Sequence, residues 1–202
     1  MKLYIAPGAC SLAPHIALRE AGARFDLAIV DLSTRRVNDG TSFAELNPKG
    51  YVPALRLDDG QVLTENVAVL LYIADRHPAA HLAPPAQTLE HYRLIEWLCF
   101  INTELHKAFS PLFSAAAPEP MRQYARDLIT RRFDYLQGAL GSADFVTGSR
   151  FTVADAYLFT VLSWCVEVAI DLKGWPALAR YEERLRTRPA VLAALKAEGL
   201  VS

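Results

Sequence analysis

The 202-residue chain has little of what would announce a nucleic-acid, membrane or disulfide-built protein. It has only three cysteines, Cys10, Cys99 and Cys165, an odd number at wide spacings. There is no C-x-x-C and no Cys/His cluster at metal-ligand spacing, so neither a disulfide framework nor a structural zinc is expected. Charge of one sign is lacking too: 21 Lys and Arg face 22 Asp and Glu, a net charge of -1, which leaves no footprint for nucleic acid or an anionic membrane. Long uncharged apolar runs are missing. The most apolar stretch, Val153 to Leu172, carries Asp155, Glu167 and Asp171, each costly in lipid, and reads as a buried core helix. The N-terminal apolar stretch is interrupted by Pro7 and Gly8 and is too short for a signal-peptide core, which points to the cytoplasm, where thiols stay reduced. No repeat, low-complexity tract, metal motif or nucleotide motif occurs.

What is present has two halves. Leu3 to Ile5 reads as a strand, Ser11 to Glu20 as a helix ended by Ala21-Gly22, and Leu27 to Leu32 as a second strand. After a polar stretch from Ser33 to Thr41 and a short helical piece ending at Asn47-Pro48, Ala54 to Leu57 and Gln61 to Leu63 form a hairpin about Asp58-Asp59-Gly60. Thr64 then stands where it can cap a helix with apolar positions Val67, Leu70, Leu71 and Ala74. Three prolines between Pro78 and Pro85 mark a linker. Beyond it Leu94, Leu98, Ile101, Leu105 and Phe109, and again Ile129, Phe133, Leu136 and Leu140, recur at helical spacing. Thr152 and Asp155 make a capping box before the apolar helix, and two last helices begin at Pro176 and Pro189. The expected organisation is an α/β domain over 1–77 with a mixed four-stranded sheet, a linker over 78–87 and an all-helical domain over 88–202. The order points to a thioredoxin-like half followed by a bundle.

Cys10 follows the first strand and the Pro7-Gly8 turn and opens the first helix, where the helix dipole and free backbone N–H groups favour a thiolate. A small buried thiol is the alternative at that position. Five motifs tip the balance: Pro7-Gly8-Ala9-Cys10-Ser11, Asn47 to Leu55, Leu63-Thr64-Glu65-Asn66, Glu104-Leu105-His106-Lys107 and Phe151-Thr152-Val153-Ala154-Asp155. Together, and in this order over the whole chain, they resemble bacterial glutathione transferases of the beta class.

The resemblance implies the cytosolic glutathione transferase architecture, glutathione as co-substrate with no further cofactor and no metal, a small hydrophobic electrophile as second substrate, and a homodimer. It implies Cys10 and His106 as the sulfur-facing residues. It also implies a cis Val52-Pro53 bond that exposes the main chain of Val52 to the cysteinyl part of glutathione. Glu65 and Asn66, at a helix start, would take the γ-glutamyl amine and carboxylate, Asn66 standing where the family usually has Ser. Arg35 matches a position that meets the glycine carboxylate, with Arg36 beside it as the alternative. Thr103 and Glu104 match residues near the same site, and Cys99 replaces a common Asn. Ser11 is kept as a substitute for Cys10, whereas Tyr4 belongs to core packing. An electrophile pocket would draw on Phe109, Phe113, Tyr157 and Trp164, residues whose helical spacing also fits plain core. Three activities remain open: conjugation; thiol transfer, reduction or dehalogenation through a Cys10 mixed disulfide; and non-catalytic glutathione binding in a stress or regulatory role.

Overall fold

A computed structural model describes residues 1–202, which form two compact units: Met1–Ala83 together with Arg188–Ser202, and Pro84–Thr187. In the first, β1 (Lys2–Ile5) runs parallel to β2 (Asp26–Asp31) across the helix α1 (Leu12–Glu20), with Leu3 opposite Leu27. On its other side β1 pairs antiparallel with β4 (Ala54–Arg56), which pairs with β5 (Val62–Thr64). A short β3 (Arg36–Val37) hangs antiparallel on β2, giving the order β3-β2-β1-β4-β5.

The expected four strands are therefore five. The additional one is two residues long and lies between side-chain-bridged turns, where Asp31 accepts the Ser33 N–H and Asp39 accepts the Thr41 N–H. Two residues show no alternation, which is why that segment reads as polar loop. β1 is central, and its successive residues Leu3, Tyr4 and Ile5 are all buried. Tyr4 joins Ala28, Val30, Val37, Phe43, Val52 and Ala54 in one cluster, with Phe43 supplied by the short helix α2 (Phe43–Leu46). An unbroken apolar run is what a strand covered on both faces requires.

Helix α3 (Asn66–Arg76) follows β5 and packs on α1. Thr64 does not cap it: Thr64 ends β5, and the residue before the helix is Glu65, at φ 71°. The last helix, α9 (Pro189–Ala197), packs against α1, and Arg188 ahead of it makes two bonds to Glu20, at 2.8 and 3.0 Å. The final fifteen residues thus fold with the N-terminal unit rather than with the helical domain to which the linker reading joined them.

The second unit holds α4 (Leu89–Phe100), a π-helical segment (Ile101–His106), α5 (Lys107–Phe113), α6 (Glu119–Leu140), α7 (Val153–Ser163) and α8 (Pro176–Arg186). Helix α7 is apolar all round, and Val153 to Leu162 are all buried, the expected position for such a helix. It stops at Ser163 instead of running to Leu172. There Trp164 N–H bonds to Val161 O and Cys165 N–H to Leu162 O, tightening the chain into turns that leave Val166 exposed. Asp155 closes the capping box with Thr152. No helix is long and apolar enough to cross a membrane.

Candidate active site

The loop from β1 to α1 is built around Ser11. The Ala6 N–H donates to its hydroxyl oxygen (3.1 Å), and the hydroxyl donates back to Ala6 O (3.3 Å), both out of solvent. Ser11 is wholly buried and its proton is spent, so it offers no substitute for its neighbour. Cys10 is half-buried at the start of α1, and its Sγ donates to Val52 O at 3.2 Å. The Val52-Pro53 bond is cis. A thiol thus lies against the main chain that leads into β4.

The chain terminus braces this loop. Gly8 N–H donates to Glu198 Oε2 (2.9 Å), and the other carboxylate oxygen lies 2.8 Å from Nδ1 of the fully buried His15. Arg19 Nε, which can only donate, reaches His15 Nε2 at 2.8 Å, so the imidazole proton belongs on Nδ1 and points at Glu198. A side chain at Gly8 would meet Leu200, and Gly8 has φ +73°. Nothing in the sequence pairs residues 8, 15, 19 and 198, which are up to 190 positions apart. Glu198→Ala removes the acceptor of two donors, the buried His15 imidazole and the partly buried Gly8 N–H, and a loss of about 3 kcal/mol is expected. Denaturant unfolding of the variant checks this, with an unchanged midpoint ruling the brace out.

Opposite this loop in the same unit, Asn47 shapes the turn before Pro53: Nδ2 donates to Tyr51 O (2.7 Å) and Oδ1 accepts from Lys49 N–H (3.2 Å). Gly50, at φ +76°, carries the Arg35 guanidinium against it, where an added Cβ would stand 3.6 Å from Cζ. Arg36 instead extends β3 and donates to Gly40 O at 2.9 Å. Of the two arginines, Arg35 is the one against the loop.

Glu65 has left-handed φ and an exposed carboxylate paired with Lys49 Nζ, which also donates to Thr64 Oγ1 (2.9 Å). Strained non-glycine backbone of this kind concentrates at ligand sites. Lys49 was absent from the expected site; its place in the Asn47–Leu55 motif was the available signal. Asn66, the first residue of α3, is 5% exposed, and neither its Oδ1 nor its Nδ2 has a partner. Orphaned buried amides cost on the order of 1–3 kcal/mol each, and this one stands at a helix N-terminus suited to an anion.

In the helical unit, His106 ends the π-helical segment, a backbone feature often found at functional positions. Its Nδ1 lies 2.7 Å from Tyr157 Oη, which donates to Asn102 Oδ1 at 2.9 Å. Burial, assisted by the charge of Lys107, pushes the His106 pKa down to about 4. Trp164 stands edge-on, its ring 4.9 Å from the imidazole, and Phe109 and Phe113 extend the aromatic group. These four expected pocket residues separate by exposure. Phe113 is 52% exposed and Trp164 keeps a small open edge, whereas Phe109 and Tyr157 are fully buried and belong to the layer behind them.

Thr103 and Glu104 are tied locally. Thr103 Oγ1 donates to Cys99 O (2.9 Å), and the Glu104 carboxylate takes two bonds from Arg132, at 3.1 and 2.6 Å. Cys99 is exposed on α4, and Cys165 is buried with its thiol pushed up to about 12 by desolvation and Glu182.

A five-stranded sheet with a cysteine at its first β–α loop, bonded to the carbonyl ahead of a cis proline, and a chain that continues into an all-helical unit define the glutathione transferase class. Residues 8–76 match the glutathione S-transferase N-terminal domain and residues 100–189 the C-terminal domain. The chain belongs to the glutathione S-transferase family. It is 48% identical over 200 residues to glutathione S-transferase GstA of Escherichia coli O157:H7, covering 99% of this chain and 100% of that one. The beta-class enzyme of Sphingomonas chungbukensis superposes with a TM-score of 0.97 at 53% identity over the full length of both chains. A sphingomonad glutathione S-transferase solved in complex with glutathione gives 0.96 at 50% identity, also over the full length of both.

Proposed function

We propose that this chain conjugates the thiol of glutathione to small apolar electrophiles, with Cys10 and His106 acting on the sulfur. The observation that carries the reading is the hydrogen bond from Cys10 Sγ to Val52 O ahead of the cis Pro53, which puts a thiol beside the main chain that leads into β4. Glutathione has a cysteinyl backbone suited to pairing with main chain of this kind in strand fashion. Its glycine carboxylate suits Arg35, and its γ-glutamyl carboxylate suits the unpartnered Asn66 amide and the N-terminus of α3. The γ-glutamyl amine must share Glu65 with Lys49. Thr103 and Glu104 stay as peripheral contributors, and Phe113 with the edge of Trp164 meets the apolar electrophile.

A second reading, thiol transfer or reduction through a mixed disulfide, is favoured by the accessibility of Cys10 itself. The Cys10 thiolate attacks the glutathione sulfur of a mixed-disulfide substrate and releases the substrate thiolate, and a second glutathione thiolate then attacks the Cys10–glutathione disulfide, releasing Cys10 and leaving glutathione disulfide. The family's homodimer is retained as a proposal, supported by the apolar side chains Leu89, Tyr92 and Tyr135 that α4 and α6 leave 57–66% exposed. A cytoplasmic setting suits a chemistry that needs reduced thiols.

Steady-state turnover of glutathione with an activated aromatic halide, combined with mass spectrometry of the same sample, tests these readings. Saturable product formation is expected. An adduct without conjugation would favour thiol transfer, and neither signal would leave a binding or regulatory role. Cys10→Ala should remove any glutathione adduct. If the adduct persists at full occupancy it resides on exposed Cys99, since Cys165 is buried with its thiol held protonated.

A further inference from the structure

The chain Asn102–Tyr157–His106 has a direction. A phenol has one proton, and Tyr157 donates it to Asn102 Oδ1 at 2.9 Å. The phenol oxygen can then only accept from the imidazole, so the contact of 2.7 Å to His106 Nδ1 must be an N–H donated by the histidine. A neutral imidazole carries a single proton, and with that proton on Nδ1 the Nε2 lone pair is open. Tyr157 is fully buried on α7, and its hydroxyl receives both Asn102 and His106 from the π-helical segment, four positions apart. Four positions is about one helical turn, which places both side chains on the same face toward one hydroxyl.

We propose that Tyr157 and Asn102 are positioning residues that hold the proton of His106 on Nδ1 and so make Nε2 an obligate acceptor for the thiol of the substrate. The inference rests on the glutathione transferase reading for the identity of that thiol. The imidazole then has no proton to offer a finished thiolate through Nε2, and its part comes earlier. As glutathione's S–H bond breaks, the electron pair stays on sulfur and the proton passes to Nε2, giving an imidazolium beside the thiolate. Reversing the tautomer would turn the same ring into a donor and remove the acceptor. Neither Tyr157 nor Asn102 needs to touch substrate.

The tautomer can be read without turnover, from long-range nitrogen–proton NMR correlations of the ring in the full chain. His106 is picked out from the five histidines by comparison with a His106→Asn sample. The expected result is a neutral ring protonated on Nδ1 in the unaltered protein. Asn102→Ala frees the phenol proton to turn toward the ring and should move the imidazole proton to Nε2, while Asn102→Asp, which keeps an acceptor, should restore Nδ1. Turnover should follow the tautomer, with kcat falling about ten-fold in Asn102→Ala, recovering in Asn102→Asp, and the KM for glutathione changing less than about two-fold. A ring protonated on Nε2 in the unaltered protein overturns the proposal, as does a tautomer indifferent to Asn102 and to Tyr157→Phe. If the variants shift the tautomer but leave turnover unchanged, the positioning role is overturned and the glutathione transferase reading stands; if the tautomer behaves as expected but the protein shows no turnover, the tautomer assignment stands and the glutathione transferase reading fails.

Discussion

Asp155→Ala is expected to lower the melting temperature by roughly 10 °C, the largest stability effect of any single side chain outside the apolar core. Asp155 is fully buried and accepts four bonds: from Val146 N–H (2.8 Å), Thr152 N–H (2.8 Å), the Thr152 hydroxyl (2.9 Å) and the Tyr181 hydroxyl (2.7 Å). Burial itself pushes this carboxyl's pKa up, opposed by those same four bonds, so enclosing the charge is costly. The cost of removing it is larger because four donors lose their acceptor together. Each costs on the order of 1–3 kcal/mol when stranded, and shared relaxation reduces their sum to about 4 kcal/mol. These donors tie the 146 loop, the start of α7 and α8 into one corner of the helical unit. Asp155→Asn retains one good acceptor and should fall between the two. Thermal unfolding of the three proteins checks the order, and an alanine variant within 2 °C of the unaltered protein would rule out the corner as a stability element.

The sequence carried this corner plainly, because a capping box is local: Thr152 and Asp155 are three residues apart and precede an apolar run. Elements with a strong local signal were equally legible, from the unbroken apolar run of β1 to the helices beginning at Pro176 and Pro189. What escaped reading depended on distance in sequence. Glu198 reaches Gly8 and His15 across more than 180 residues, and no pattern in a single chain reports such a pairing. β3 escaped for the opposite reason, two residues being too few to show alternation. The site was legible as residue types in motifs, yet only the fold separates Arg35 from Arg36, spends the Ser11 hydroxyl on Ala6, and encloses Phe109 and Tyr157 wholly while leaving Phe113 half open. Tyr157 is instructive: its spacing on an apolar helix reads as core, which it is, and its hydroxyl alone gives it a further role.

His106→Ala is expected to reduce kcat about a hundred-fold while leaving the KM for glutathione within a few-fold, since a base that moves with the reacting proton contributes about 10²–10⁴ to the rate, whereas ground-state binding rests on other contacts. The pH dependence separates this role from a merely structural one. An ordinary imidazole would titrate near 6.5 and impose an acid limb on kcat/KM there. Burial lowers His106 to about 4, so the ring is neutral and able to accept across pH 5–7, and its protonation removes activity only as pH falls through about 4. The profile of the unaltered enzyme between pH 5 and 7 should therefore show no limb from this group. Because kcat/KM reports the unliganded enzyme, the low value belongs to the free site. When glutathione's sulfur becomes an anion beside Nε2, its negative charge favours the imidazolium and raises the ring's affinity for the proton at the moment the proton is transferred. A limb near 6.5 that vanishes in His106→Ala would mean that the ring is solvated and charged in the resting enzyme. A kcat unchanged by the substitution would remove His106 from the chemistry, leaving the thiolate to Cys10 and the backbone about Val52.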